Sequence, residues 1–188
     1  VSYGVHLPQL CISTQAIAEA NGQAHAPGLG IKQKTVPDLD EDTATIATAA
    51  AWQALSRLDN KEAVLDQIGT LFIGSESHPY AVKPTGTIVA AALGLPRTLA
   101  MADLQFACKA GSQGLQIALT YVKAGEVEYG LAIGADTAQS APGDALEYTA
   151  AAGGAAFVVG HQNLIATLLG TASYASDTPD FWRRPRQA

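Results

Sequence analysis

Along these 188 residues, apolar positions alternate between the spacing of strands and that of helices. "VSYGVHLP" predicts an opening strand closed by Pro8, and "STQAIAEAN" a short helix with Ser13 as its cap and Asn21 near its end. "APGLGIKQKTVPDLD" reads as loop with one strand through Ile31 to Val36. "DEDTATIATAAAWQALSRL" opens on acidic residues, which suit the positive end of a helix dipole, and Ile46, Ala50, Ala54 and Leu58 recur at helical spacing. "IGTLFIGSES" predicts a buried strand, "KPTGTIVAAALGLP" a helix stopped by Gly94 and Pro96, and "TLAMADLQF" the next strand.

A helix then runs from Cys108 to about Gly125 and is apolar nearly all round, through Ala110, Gly114, Leu115, Ile117, Ala118, Leu119 and Val122, which predicts burial on every side. "YGLAIGADTA" and "GGAAFVVGH" predict strands separated by the polar excursion "QSAPGDALEYTAAA", and "NLIATLLGTASY" is a last strand candidate. Strands alternating with helices of these lengths imply one α/β domain around a largely buried sheet. The end, "ASDTPDFWRRPRQA", reads as the start of a further segment. Phe181 and Trp182 there are costly to leave in water, which leaves two readings open: a covering partner, or a tail folded back on its own domain.

Composition narrows the classes. Hydrophobic residues make up 48% and charged residues 15%, which excludes a disordered chain. The net charge of −6 argues against nucleic acid, and the one basic cluster, Arg183, Arg184 and Arg186, reads as a solvated tail. No apolar run reaches the roughly 18 to 20 residues that span a bilayer, and the N-terminus lacks the pattern of a signal peptide. Cys11 and Cys108 lie far apart in the sequence, so free thiols in a cytoplasmic chain are expected.

Two residues carry candidate chemistry. Cys108 falls at or just before a helix N-terminus, where unpaired N–H groups favour a thiolate nucleophile and an oxyanion; a buried core thiol is the competing reading. Glu76 follows the strand "TLFIG" at its carboxyl end, the edge where parallel sheets place ligand sites. It suits a proton-shuttling carboxylate, or a loop carboxylate capping the helix that begins near Lys83 or Pro84. His78 reads as a surface loop histidine. His6, His25 and His161 show no metal-ligand spacing, so no metal is expected. "GLGIKQK" lacks phosphate-loop spacing, and "AAAGGAAFVVG" reads as a tightly packed strand.

The runs "GIKQKTVPDLDEDTATI", "GSESHPYAVKPTGTIVAAALG", "DLQFACKAGSQGLQ" and "YGLAIGADTAQSAPGDALEYTAAAGGAAF" together resemble the hydroxymethylglutaryl-CoA synthase family of the thiolase superfamily, most closely its archaeal-type branch. The resemblance extends over most of residues 29 to 160. It implies a thiolase-like half with a mixed sheet, helices on both faces and the nucleophile helix buried. It implies acyl transfer from acetyl-CoA to Cys108, then a Claisen-type condensation with acetoacetyl-CoA in which Glu76 is the general acid/base. The substrates supply CoA, so no separate cofactor is expected. The implied partners are a second copy in a homodimer, an acetoacetyl-CoA thiolase and a small bridging protein.

The family's catalytic histidine and a positioning asparagine belong to a second, homologous half, and none of the four histidines here stands in that motif. Residues 1–188 are therefore expected to form a single N-terminal thiolase-like domain, with 176–188 as a polar tail or the start of the other half. Lys109, where other branches carry an aromatic residue, is assigned no role. A half-synthase acting as a scaffold or thioester-binding subunit is the competing expectation. A ketoacyl synthase is disfavoured because its cysteine pairs with histidine and asparagine, without a counterpart of Glu76 in "GSES".

Overall fold

The computed structural model describes residues 1–176. The expectations for Phe181, Trp182, the arginine cluster and nearly all of the 176–188 tail lie outside the described residues.

A five-stranded mixed sheet is built from β1 (Ser2–His6), β4 (Ile68–Gly74), β5 (Ala100–Leu104), β6 (Tyr129–Thr137) and β7 (Ala152–Val159), in the order β1-β7-β6-β4-β5. β4 runs parallel to both β5 and β6, whereas β7 is antiparallel to β6 and to β1. The carboxyl ends of β4, β5 and β6 therefore open on one rim.

Side chains alternate across the strands, so β4 sends Leu71 and Ile73 to one face and Phe72 to the other. The first face is covered by α2 (Thr43–Ser56) and α4 (Thr85–Leu93), with Ile46, Ala50, Ala54, Val89, Leu131, Ile133 and Val158 in the core. The alanine-rich stripe of α2 brings its backbone onto β1: a Cβ on Gly4 would overlap the backbone at Ala50 and Ala54. Asp42 caps α2 by accepting the Thr45 N–H at 2.8 Å, and α4 ends at Gly94 with a left-handed φ of 70°.

α5 (Ala110–Lys123) lies on the other face, against Phe72, Ala132 and Val159. Its expected burial on every side is corrected to one stripe, Ala110, Gly114, Ala118 and Val122. The reason is the number of layers: one sheet covers one side of a helix, and Leu115, Ile117 and Leu119 on the flanks stay partly exposed.

The strand expected in "NLIATLLGTASY" is also corrected, because residues 163 to 174 join no ladder. Apolar β-branched residues fit a pleated surface, but a strand needs a partner edge as well. The segment instead runs beside α5, where the His161 Nε2–H donates to the Val122 carbonyl at 2.8 Å and Lys109 Nζ donates to Ser173 Oγ at 3.0 Å.

Four short elements lie outside this sheet and its covering helices. β2 (Leu10–Ser13) pairs antiparallel with β3 (Gln33–Val36) around α1 (Thr14–Ala20), which Ser13 caps as expected, and α3 (Lys61–Leu65) is a single turn.

Candidate active site

β5 ends at Leu104, and the chain reaches α5 through a tight turn carrying Cys108. Lys109 N–H donates to the Phe106 carbonyl at 3.0 Å and Ala110 N–H to the Ala107 carbonyl at 3.2 Å. Ala107 takes a φ of 44°, a left-handed conformation that strains a residue with a Cβ. The turn presents Cys108 at the surface as a free thiol, just before the N-terminus of α5, which carries no side-chain cap. Cys108 is not a core thiol. Cys11 is likewise free and exposed.

Glu76 lies on the loop that leaves β4, two residues beyond Gly74. Its Oε1 accepts the Ala107 N–H at 2.5 Å, so the carboxylate meets the residue immediately before Cys108. The two sequence-derived candidates thus converge on one rim. Glu76 does not cap α4, because Asp103 at the end of β5 takes that place, accepting Thr85 N–H at 2.5 Å and Gly86 N–H at 2.9 Å.

Asp136, near the carboxyl end of β6, fixes the Glu76 loop. Its Oδ1 accepts the Ser75 hydroxyl at 3.0 Å, the Glu76 N–H at 2.9 Å and the Ser77 hydroxyl at 2.8 Å. Ser77 Oγ in turn accepts the Thr137 N–H at 2.9 Å. Sequence reasoning missed both Asp103 and Asp136. Each closes an apolar strand at its carboxyl end, and that signal was available to find them.

His78 departs from expectation. Its side chain is only 6% exposed, with Nδ1 at 2.8 Å from Thr85 Oγ1 and 3.7 Å from Asp103 Oδ2. A loop histidine becomes buried here because the helix N-terminus and the end of β5 meet over it. His6 pairs with Glu41 at 2.8 Å. Glu41 is held below the ordinary carboxylate range, first by the Asp38 N–H and then by His6. No cluster of three metal-binding side chains occurs among the described residues. A groove of about 790 Å³ between Val5, Trp52, Tyr80 and Ile88 lies on the α2–α4 side and includes neither Cys108 nor Glu76.

A cysteine on a turn before a helix and a carboxylate from the neighbouring strand end, on a mixed sheet between helices, define a thiolase-like protein. Among solved structures, MvaS in complex with 3-hydroxy-3-methylglutaryl coenzyme A superposes with a TM-score of 0.76 at 28% identity, over 86% of this chain and 39% of that one. The chain belongs to the hydroxymethylglutaryl-CoA synthase family, and corresponds to its N-terminal half. It is 55% identical to the hydroxymethylglutaryl-CoA synthase of Methanocaldococcus jannaschii over 98% of its own length and 53% of that protein. It is also 55% identical to the Archaeoglobus fulgidus synthase, over 100% of its own length and 54% of that protein. The chain thus spans about half the length of the curated relatives it matches. No protein-family model matches it.

Proposed function

We propose that this chain is the acyl-accepting half of a hydroxymethylglutaryl-CoA synthase, with Cys108 as nucleophile and Glu76 as general acid/base. The observation that carries the proposal is the 2.5 Å hydrogen bond from Ala107 N–H to Glu76 Oε1, which ties a carboxylate to the residue preceding an exposed cysteine. Cys108 Sγ, having lost its proton, attacks the thioester carbon of acetyl-CoA; the carbon–sulfur bond to CoA breaks, and CoA leaves with a proton. Glu76 takes a proton from the acetyl methyl group. The resulting enolate carbon adds to the ketone of acetoacetyl-CoA, whose oxygen is protonated as the new carbon–carbon bond forms. Water then cleaves the thioester, releasing 3-hydroxy-3-methylglutaryl-CoA and restoring the thiol.

The imidazole of this chemistry comes from the second half. His78 is held by Thr85 and Leu104, His6 by Glu41 and His161 by Val122. In this reading the CoA thioesters are the only CoA source, with no separate cofactor or metal. The working enzyme is a cytoplasmic homodimer that associates with an acetoacetyl-CoA thiolase and a small bridging protein. Among the described residues no helix is long and apolar enough to cross a membrane.

Intact-mass spectrometry after incubation with acetyl-CoA tests the proposal. An acetyl adduct lost in Cys108→Ala is expected. A folded chain that takes up no acetyl group would instead be a scaffold or thioester-binding subunit.

A further inference from the structure

The rim carries one buried imidazole that the proposed chemistry does not use. His78 sits two residues beyond Glu76 on the same loop, and its Nε2 approaches the Leu104 carbonyl at 3.5 Å. A carbonyl only accepts, so in the neutral ring the proton lies on Nε2 and the Thr85 hydroxyl donates to Nδ1. The same Leu104 carbonyl accepts the Ser75 N–H at 3.0 Å. One carbonyl at the exit of β5 therefore receives both ends of the short stretch from Ser75 to His78, with Glu76 between them.

Leu104 also begins the run into the Cys108 turn. Asp136 holds the Glu76 loop to β6, but it makes no tie to β5, which delivers Cys108. The ties to the β5 side are the Ser75 N–H, Glu76 itself and His78. The His78 ring is further wedged against the N-terminus of α4, where Thr85 is fully buried and Asp103 binds the backbone beneath it. Its two nitrogens are spent on these neighbours, which leaves it no access to a reacting atom.

We infer that His78 is a positioning residue: wedged between Thr85 and the Leu104 carbonyl, it sets the Glu76 loop in register with the turn that carries Cys108. This rests on the reading of Glu76 as the acid/base. Without the imidazole the loop keeps its Asp136 anchor and the Ser75 N–H tie but loses its outer hold on β5, and the Glu76–Ala107 hydrogen bond opens more often.

Backbone amide exchange of the 15N-labelled full chain, followed by NMR, reads that bond at the Ala107 N–H, with Ala132 in β6 as an internal core reference. Glu76→Ala removes the acceptor and is expected to speed Ala107 exchange about tenfold. His78→Ala is expected to do the same within about threefold, with Ala132 unchanged, while His78→Gln, whose amide N–H can donate to the Leu104 carbonyl from about where Nε2 stood, restores most of the protection. If Glu76→Ala speeds exchange and His78→Ala does not, the positioning role is wrong while the Glu76 contact stands. If neither changes Ala107, the contact and the positioning role both fall. Acetylation of Cys108 is measured separately, so failure of the nucleophile is distinguishable from either. Should His78→Ala speed Ala132 as well, Thr85→Val deletes only the hydroxyl that meets the ring, and unchanged Ala107 exchange there overturns the inference.

Discussion

Glu76 Oε1 accepts the backbone N–H of Ala107 at 2.5 Å, joining the loop after β4 to the residue preceding Cys108. The contact uses backbone on one side, so it fixes where the carboxylate stands without involving the thiol. Glutamine at position 76 keeps an oxygen acceptor and nearly the same shape, but cannot exchange a proton at neutral pH. In the assembled enzyme, Glu76→Gln is therefore expected to leave Cys108 acetylation within about threefold of normal. Condensation should slow by about 10² to 10⁴, the usual contribution of a positioned acid or base. Rapid-quench measurement of the two steps separates them, and an unchanged condensation rate rejects the role.

The pairing of His6 with Glu41 predicts a stability change at acid pH. Glu41 is held below the ordinary carboxylate range by the Asp38 N–H and then by His6, so the unfolded chain takes up this proton first as pH falls. The stabilisation is fully present above the ordinary carboxylate range and is lost as pH falls through the lowered folded value. Urea unfolding of wild type and Glu41→Gln from about pH 6 down to about pH 3 checks the sign. The gap between the two curves should be widest at the upper end and close toward the lower; a gap that widens on acidification contradicts it.

How far the sequence discloses this molecule depends on what each feature needs. The long buried strands β4, β6 and β7 are legible because they are apolar runs bounded by turn residues, and α4 because Gly94 supplies the left-handed stop. Cys108 and Glu76 are legible as candidates because each follows an apolar strand. β2 is not, since four exposed residues show no alternation of burial, and α3 is too short to show a helical period. The meeting of Glu76 with Ala107 depends on Gly74 lying level with Leu104 in the sheet, a register that local pattern does not encode. His78 buries for the same reason: its partners Thr85 and Leu104 come from two other elements.

Asp136 offers a direct measure of how much the rim costs to dismantle. One of its oxygens accepts three hydrogen bonds from Ser75, Glu76 and Ser77, and Ser75 is itself buried. Asp136→Ala strands those donors and is expected to lower stability by about 2 to 4 kcal/mol. Asp136→Asn retains an oxygen in place and should cost about 1 kcal/mol. Denaturant midpoints at neutral pH compare them; equal losses would mean that the hydrogen bonds are not the source.

Placement of the Cys108 helix rests on three glycines where α5 touches the sheet. A Cβ on Gly74 would overlap the backbone of Ala110 and Gly111, and one on Gly111 would lie 3.1 Å from the Gly134 Cα. The first turn of α5 can approach β4 and β6 this closely only because no side chain intervenes, and that approach brings Ala107 within reach of Glu76. Gly74→Ala must push backbone against backbone, which no rotamer change relieves. The expected loss is at least about 2 kcal/mol of stability, together with faster exchange at the Ala107 amide as the turn withdraws from Glu76. Gly28→Ala, where nothing lies within 4 Å, is the neutral control. Urea unfolding and amide exchange on the same samples decide the matter: a Gly74→Ala chain as stable as the control would mean that α5 does not rest on the sheet through these glycines.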